Sequence, residues 1–273
     1  MKTLKDRVVV VTGAASGIGR ATSIELARNG CVLAISDVNE NRLAETADAI
    51  RALGARVCTH KVNVGDKERM RQYPDEVVAE YGAVHIVVNN AGVSIGGSFE
   101  ETAIEDWEWL MGINFWSVVY GCKFFLPHLK RAEEGHIVNM SSSFGLMGIP
   151  LQSAYSASKF AIRGLSETLW IELKRLNICV TTVIPSGVRT EIANTMRFRN
   201  TKMIDFTRNA INTSPLTPEQ CARSIVQAIM NNKMRVLVGQ TAFFIDFFKR
   251  LSPVLTLNMA QKGFQRGGFT GGT

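Results

Sequence analysis

Seven short apolar runs rich in β-branched residues alternate with longer amphipathic segments, and this rhythm restricts the fold more than any other feature of the chain. The runs occupy 8–12, 31–36, 57–62, 84–89, 136–141, 178–184 and 235–239. Between them, apolar residues recur at helical spacing near 17–29, 40–53, 67–81, 105–131, 153–175 and 218–232. In the last of these, Pro218 stands in the first turn after Thr217, an acceptable N-cap. The runs lack the apolar/polar alternation of a half-solvated strand, and a helix follows each of the first six. The expected fold is therefore α/β: a doubly wound parallel sheet of about seven strands with helices on both faces. No repeat or linker breaks the pattern before the Gly-rich end, GFQRGGFTGGT, which is expected to fray. One domain over 1–240, with 241–273 as an amphipathic extension and tail, is the simplest account.

At 46% hydrophobic and 20% charged, the 273 residues have the composition of an ordinary soluble protein with a sizeable core. No stretch approaches the roughly eighteen apolar residues of a membrane span. The opening MKTLKDRVVVVTG has too short an apolar run for a signal peptide. Five scattered cysteines, with no CxxC and no clustered histidine, suggest reduced core thiols in a cytoplasmic protein and no metal site. The net charge of +7 is lopsided: residues 189–273 hold 12 of the 31 Lys and Arg but only 4 of the 24 acids. The same segment has 8 of the 14 phenylalanines. These cations are dispersed among apolar residues without a recognisable nucleic-acid motif, which argues against a nucleic-acid partner.

The first run leads directly into Thr12-Gly13-Ala14-Ala15-Ser16-Gly17-Ile18-Gly19 and then a helix. Glycines here let the chain turn tightly and let backbone N–H groups approach a pyrophosphate at a helix N-terminus. The spacing Gly-x-x-x-Gly-x-Gly differs from the more common dinucleotide pattern, and a glycine cluster alone could be a plain turn. Its position after the first strand of a parallel sheet favours a ligand site. The second run is followed by Asp37, which could cap the next helix or accept hydrogen bonds from an adenosine ribose. A carboxylate there repels a 2′-phosphate, and neither Ser36 nor Val38 offers a cation, so NAD is expected over NADP.

The second chemical signal is HIVNMSSSFGLMGIPLQSAYSASK. Tyr155 and Lys159 stand four apart and share a helix face. A phenol is a poor base at neutral pH, but a neighbouring ammonium and an oxidised nicotinamide both favour the phenolate. That arrangement can serve as general acid/base for an alcohol or ketone oxygen, with Ser142 from the strand end holding the same oxygen. Taken singly, such a pair is ordinary on an exposed helix. Its meaning comes from the glycine turn upstream.

Together these motifs resemble the short-chain dehydrogenase/reductase family over nearly all of 1–240. TGAASGIG resembles its cofactor turn, implying contacts through Gly13, Ser16, Gly17, Ile18 and Gly19. Asn89-Asn90-Ala91-Gly92 resembles its sheet-supporting motif, with Asn90, Ala91 and Gly92 beside the cofactor. Asn114, Ser142, Tyr155 and Lys159 match its catalytic tetrad. The resemblance implies a Rossmann-like fold, Tyr155 as acid/base, Ser142 orienting substrate and Lys159 on the nicotinamide ribose. It also implies that Asn114 anchors a relay water. Pro185, Val188 and Thr190 match the segment beside the nicotinamide carboxamide, although Ser186 replaces the usual glycine. Asn63 and Val64 match the adenine side, with Asn63 standing where Asp is usual; it can still accept a hydrogen bond. The family implies a homodimer or homotetramer through 105–131 and 153–175.

Between Thr190 and Pro215 the family places a substrate loop. Its apolar residues Met196, Phe198, Met203, Ile204 and Phe206 suggest cover for a hydrophobic secondary alcohol or ketone, as do Phe144, Leu146 and Gln152 near the chemistry. Alternatives are a ketoacyl-type reductase using NADPH and a non-catalytic NAD-binding regulator. Asp37 and the long tail speak against the first, and the intact Tyr155 and Lys159 against the second. In the tail, Phe244, Phe247, Phe248 and Leu251 fall on one helical face, with Asp246, Lys249 and Arg250 towards the other. This segment, 243–251, could cover the cleft, contact another subunit or lie on an anionic membrane; helices of this kind usually face protein, which favours the first two.

Overall fold

The computed structural model describes residues 1–192, 196–198, 209 and 211–266. Seven strands form one sheet: β1 (Val8–Thr12), β2 (Val32–Asp37), β3 (Val57–Lys61), β4 (Ile86–Asn89), β6 (Gly135–Met140), β7 (Ile178–Pro185) and β9 (Arg235–Val238). Their order is β3-β2-β1-β4-β6-β7-β9, and every neighbouring pair is parallel. Two further residues on each side, β5 (Ile95–Gly96) and β8 (Arg197–Phe198), pair separately. The expected doubly wound α/β architecture is present.

The helices are α1 (Gly17–Arg28), α2 (Glu40–Arg51), α3 (Lys67–Tyr81), α4 (Ile104–Met111), α5 (Ser117–Arg131), α6 (Ser153–Leu173), α7 (Pro218–Met230), α8 (Gln240–Leu251) and α9 (Pro253–Arg266). Successive strand residues point to opposite faces, and here both faces are buried. Val9, Val11, Leu33 and Ile35 pack with α1, α2 and α7, while Val8, Val10, Val32 and Ala34 pack with α3, α5 and α6. That is why β1 is four valines in succession rather than an alternating strand.

Two helix starts carry side-chain caps from residue types suited to that position. Asp66 accepts from the Glu68 and Arg69 amides to open α3, and Thr217 with Gln220 forms a full capping box at α7. The segment 105–131 differs from the single helix expected. A π-helical turn, Gly112–Trp116, separates α4 from α5 and carries Asn114. Such a turn shifts the side-chain register without ending the helix, so periodicity does not reveal it.

The chain runs β1-β2-β3 towards one edge and then returns to set β4 on the other side of β1. This reversal opens a crevice at the carboxyl ends of β1 and β4, the usual ligand position in such sheets. No helix among the described residues is long and apolar enough to cross a membrane.

Candidate active site

The glycine turn is built for close approach. Gly13 and Gly17 have φ of +67° and +52°, where an L side chain is strained. A Cβ on Gly13 would also come within 2.8 Å of Ala91 Cα. The Asn90 side chain donates to the carbonyls of Thr12 and Gly13 at 2.9 and 3.1 Å. In return, Thr12 Oγ1 accepts from the Asn90 and Ala91 amides, both at 3.1 Å. The segment 90–92 therefore braces the turn from the side of β4. Gly19 lies behind the turn, where a Cβ would overlap the Gly13 carbonyl and the Asn90 amide.

Asp37 settles one of the two roles left open for it. Asn39, not Asp37, caps α2 by accepting from the Arg42 amide. Asp37 instead accepts from the Ala15 amide at 3.1 Å and from the Asn39 amide at 3.0 Å. Its carboxylate is thus fixed at the end of β2, facing the turn. Asn63 stays exposed and accepts from the Gly65 amide at 3.0 Å.

At the other end, Lys159 is buried on α6 and donates to the Met140 carbonyl at 2.9 Å. Burial lowers its ammonium to about 8. Its Nζ lies 5.4 Å from the centre of the Tyr155 ring. Tyr155 is half-buried, and the protein packed around it raises the phenol to about 12, opposed by a hydrogen bond with Ser142. The lowered phenol expected beside Lys159 is not the state of the chain by itself, because desolvation outweighs the opposing interactions. Ser142 Oγ also accepts from the Phe144 amide at 3.2 Å, and Phe144 meets the Tyr155 ring edge-on at 5.7 Å.

Asn114 is fully buried, and its amide clamps the chain at Val93. Oδ1 accepts from the Val93 amide at 2.8 Å, while Nδ2 donates to the Val93 carbonyl at 2.9 Å and to Ser158 Oγ at 3.2 Å. Ser158 in turn donates to the Tyr155 carbonyl at 2.7 Å. A Cβ on Gly92 would sit 3.3 Å from Asn114 Oδ1 and 3.7 Å from Lys159 Nζ. The bare glycine keeps that space clear.

A single cleft of about 440 Å³ connects the two ends. Gly13, Ser16, Gly17, Ile18, Asp37, Asn63 and Val64 line it on one side. Asn90, Ala91, Gly92, Tyr155, Lys159, Pro185 and Thr190 continue it on the other. Gly19, Asn114 and Val188 stand behind this lining as buried supports, and Ser142, also buried, meets it at its hydrogen bond with Tyr155. Sequence reasoning missed Val93, Trp109, Ile113, Met140 and Arg42, which also line the cleft. Val93 and Ile113 are each adjacent to a predicted site residue; Trp109 had no cue beyond its place in α4.

The substrate side is partly described. Met196 and Leu146 are buried, and Gln152 accepts from Ser94 Oγ at 3.1 Å. Met203, Ile204 and Phe206 lie outside the described residues. Arg197 bonds Asp106 at 3.0 Å and lies 3.6 Å from the centre of the Trp109 ring, joining β8 to α4. Ser186, the departure from the family pattern, is accommodated because Gly239 has no side chain to meet its Oγ. Among the described residues no cluster could hold a metal ion.

The family model described as short chain dehydrogenase matches residues 7–200. The chain belongs to the short-chain dehydrogenase family. It is accordingly a nicotinamide-dependent oxidoreductase. This short-chain dehydrogenase is 39% identical over 263 residues to SadH of Mycobacterium tuberculosis, an oxidoreductase by name, with 92% of each chain covered. It is 32% identical to human epidermal retinol dehydrogenase 2, with 93% of this chain and 81% of that one covered. A solved short-chain dehydrogenase/reductase of Burkholderia phymatum, in complex with NAD, matches with a TM-score of 0.88 at 30% identity. That match covers 93% of this chain and 96% of the other.

Proposed function

We propose that this short-chain dehydrogenase uses NAD to interconvert an apolar secondary alcohol and its ketone, with Tyr155 as general acid/base. The observation that carries the reading is the continuity of one cleft from Asp37 to Tyr155 and Lys159. The glycine cradle, which Cβ atoms would fill, fits a dinucleotide pyrophosphate. The fixed Asp37 carboxylate fits ribose hydroxyls and repels a 2′-phosphate. Bound there, the nicotinamide supplies or accepts the hydride.

The chain's own residues manage the oxygen and its proton. Ser142 donates to the substrate oxygen and fixes it beside Tyr155. In reduction the Tyr155 hydroxyl gives its proton to that oxygen; in oxidation the phenolate takes it back. Burial alone holds the phenol too high for this exchange, so the positive charges of Lys159 and of an oxidised nicotinamide are the means of lowering it. Asn114 Oδ1 has a second lone pair facing the space kept open by Gly92, which suits a water relaying the proton towards Lys159. In this reading residues 1–240 are the catalytic domain with a substrate loop at 190–215, and 241–273 are an extension. Exposed Trp116, at the π turn leading into α5, and Phe160 and Ile171 on α6 support subunit contacts through these helices.

Trp109, Val93 and Ile113 on the cleft wall, and Phe144 against Tyr155, support an apolar substrate. A relative named as a retinol dehydrogenase supports the apolar character, retinol itself being a primary alcohol. The NADPH reading has one residue in its favour, Arg42, which lines the cleft near Asp37. Its guanidinium is already paired with Glu191 at 3.3 Å. The test is a panel of apolar secondary alcohols and ketones followed by NADH absorbance, with NADP(H) in parallel. A higher kcat/KM with NAD is expected. A higher value with NADP overturns the cofactor assignment, and NADH binding without turnover on any of the panel's substrates favours the regulator.

A further inference from the structure

The helical pair α8–α9 takes no part in the site described above. Only one side of α8 meets the body: Ala242 is buried, and Asp246 is ion-paired with Arg235 of β9. Arg250 holds the other oxygen of Asp246 at 3.3 Å. This anchorage turns the aromatic residues outward. Phe243, Phe244, Phe247 and Phe248 are 45–61% exposed, and Val254 and Met259 on α9 are 69% and 61% exposed. A monomeric soluble protein rarely leaves so many large apolar side chains together in water, so the face has an occupant.

Charge decides which. Residues 240–266 contain Lys249, Arg250, Lys262 and Arg266 but one acid, Asp246, and that acid is already paired. Lys262 is exposed and shares a face of α9 with Leu255 and Met259, so a closed two-fold contact through this patch would bring Lys262 of both copies into one interface with no free carboxylate of 240–266 to answer them. An anionic bilayer answers both features, since acyl chains take the phenylalanines and headgroups take the cations.

We infer that α8 and α9 dock this protein on the surface of an anionic lipid bilayer. The contact is peripheral, because no described helix is long and apolar enough to cross. It also has a direction. α8 packs against the Ser143–Gly145 turn that follows Ser142, so the docking helix sits beside the alcohol end of the cleft. An apolar substrate dissolved in the bilayer would thereby reach the site without passing through bulk water; this last step rests on the proposed function, while the docking does not.

The test is co-sedimentation of the full chain with NADH present, using phosphatidylcholine vesicles with and without phosphatidylglycerol, at low and high salt. Binding to the anionic vesicles is expected, weakened by salt. The exposed pair Phe244→Glu and Phe247→Glu should weaken it by about tenfold or more, and Lys249→Glu with Lys262→Glu by about tenfold or more. NADH binding should stay unchanged in each. Absence of binding at low salt, or binding indifferent to these substitutions, overturns the inference. So does a dimer in sedimentation velocity that the Phe244→Glu, Phe247→Glu chain no longer forms, since the face would then belong to a second copy.

Discussion

Replacing Lys159 with methionine should flatten the pH dependence of stability between about pH 7 and about pH 10. Lys159 is 4% exposed, and burial moves its ammonium from 10.5 down to about 8. Below the lower value both folded and unfolded chains carry the proton, and above the higher value neither does. Between them the unfolded chain holds a proton that the folded chain has released, so stability rises with pH across the window. The full displacement corresponds to about 3 kcal/mol, of which about 2–3 kcal/mol is traversed between pH 7 and pH 10. Methionine keeps the length of the side chain but leaves the Met140 carbonyl without its donor, a pH-independent cost of about 1–3 kcal/mol. Urea unfolding of both chains at several pH values separates the two effects, because every other titrating group is shared and cancels. Relative to the variant, the native chain should gain about 2–3 kcal/mol from pH 7 to pH 10. A flat difference, or one moving the other way, would refute the buried, desolvated ammonium.

Three further substitutions probe separate parts of the cleft. Asp37→Ser removes the carboxylate that accepts from Ala15 and Asn39, and should raise the NADP-to-NAD ratio of kcat/KM about tenfold or more, read by steady-state kinetics. Gly19→Ala pushes a methyl onto the Gly13 carbonyl and the Asn90 amide; displacing the turn at about 1–3 kcal/mol should weaken NADH binding about tenfold or more in a fluorescence titration. Gly92→Ala fills the space between Asn114 and Lys159, and should lower kcat about tenfold or more while NADH affinity changes far less.

The sheet was legible because its strands are buried on both faces. Runs such as VVVVT and ICVTTVI can satisfy no other position, and all seven lie within two residues of their sequence boundaries. Asn114, Ser142, Tyr155 and Lys159 could be proposed as catalytic from sequence because motif and order coincide there. What escaped was set by tertiary contact. The π turn at Asn114 leaves no trace in periodicity, and the β5–β8 pairing is too short to have one. The α9 helix did carry a cue, Ser252-Pro253, with proline at the first helical position. The burial that raises the Tyr155 phenol was not legible, because charge is visible in sequence, whereas desolvation is a property of the packed site.

The central claim, that Tyr155 moves the proton, is tested most directly by Tyr155→Phe. The substitution removes only the hydroxyl bonded to Ser142 and leaves the ring against Phe144. NADH should bind within about twofold of the native affinity, while turnover of an active alcohol or ketone from the panel falls by about 10²–10⁴. Turnover remaining within about tenfold of the native rate, with NADH still bound, would contradict the account.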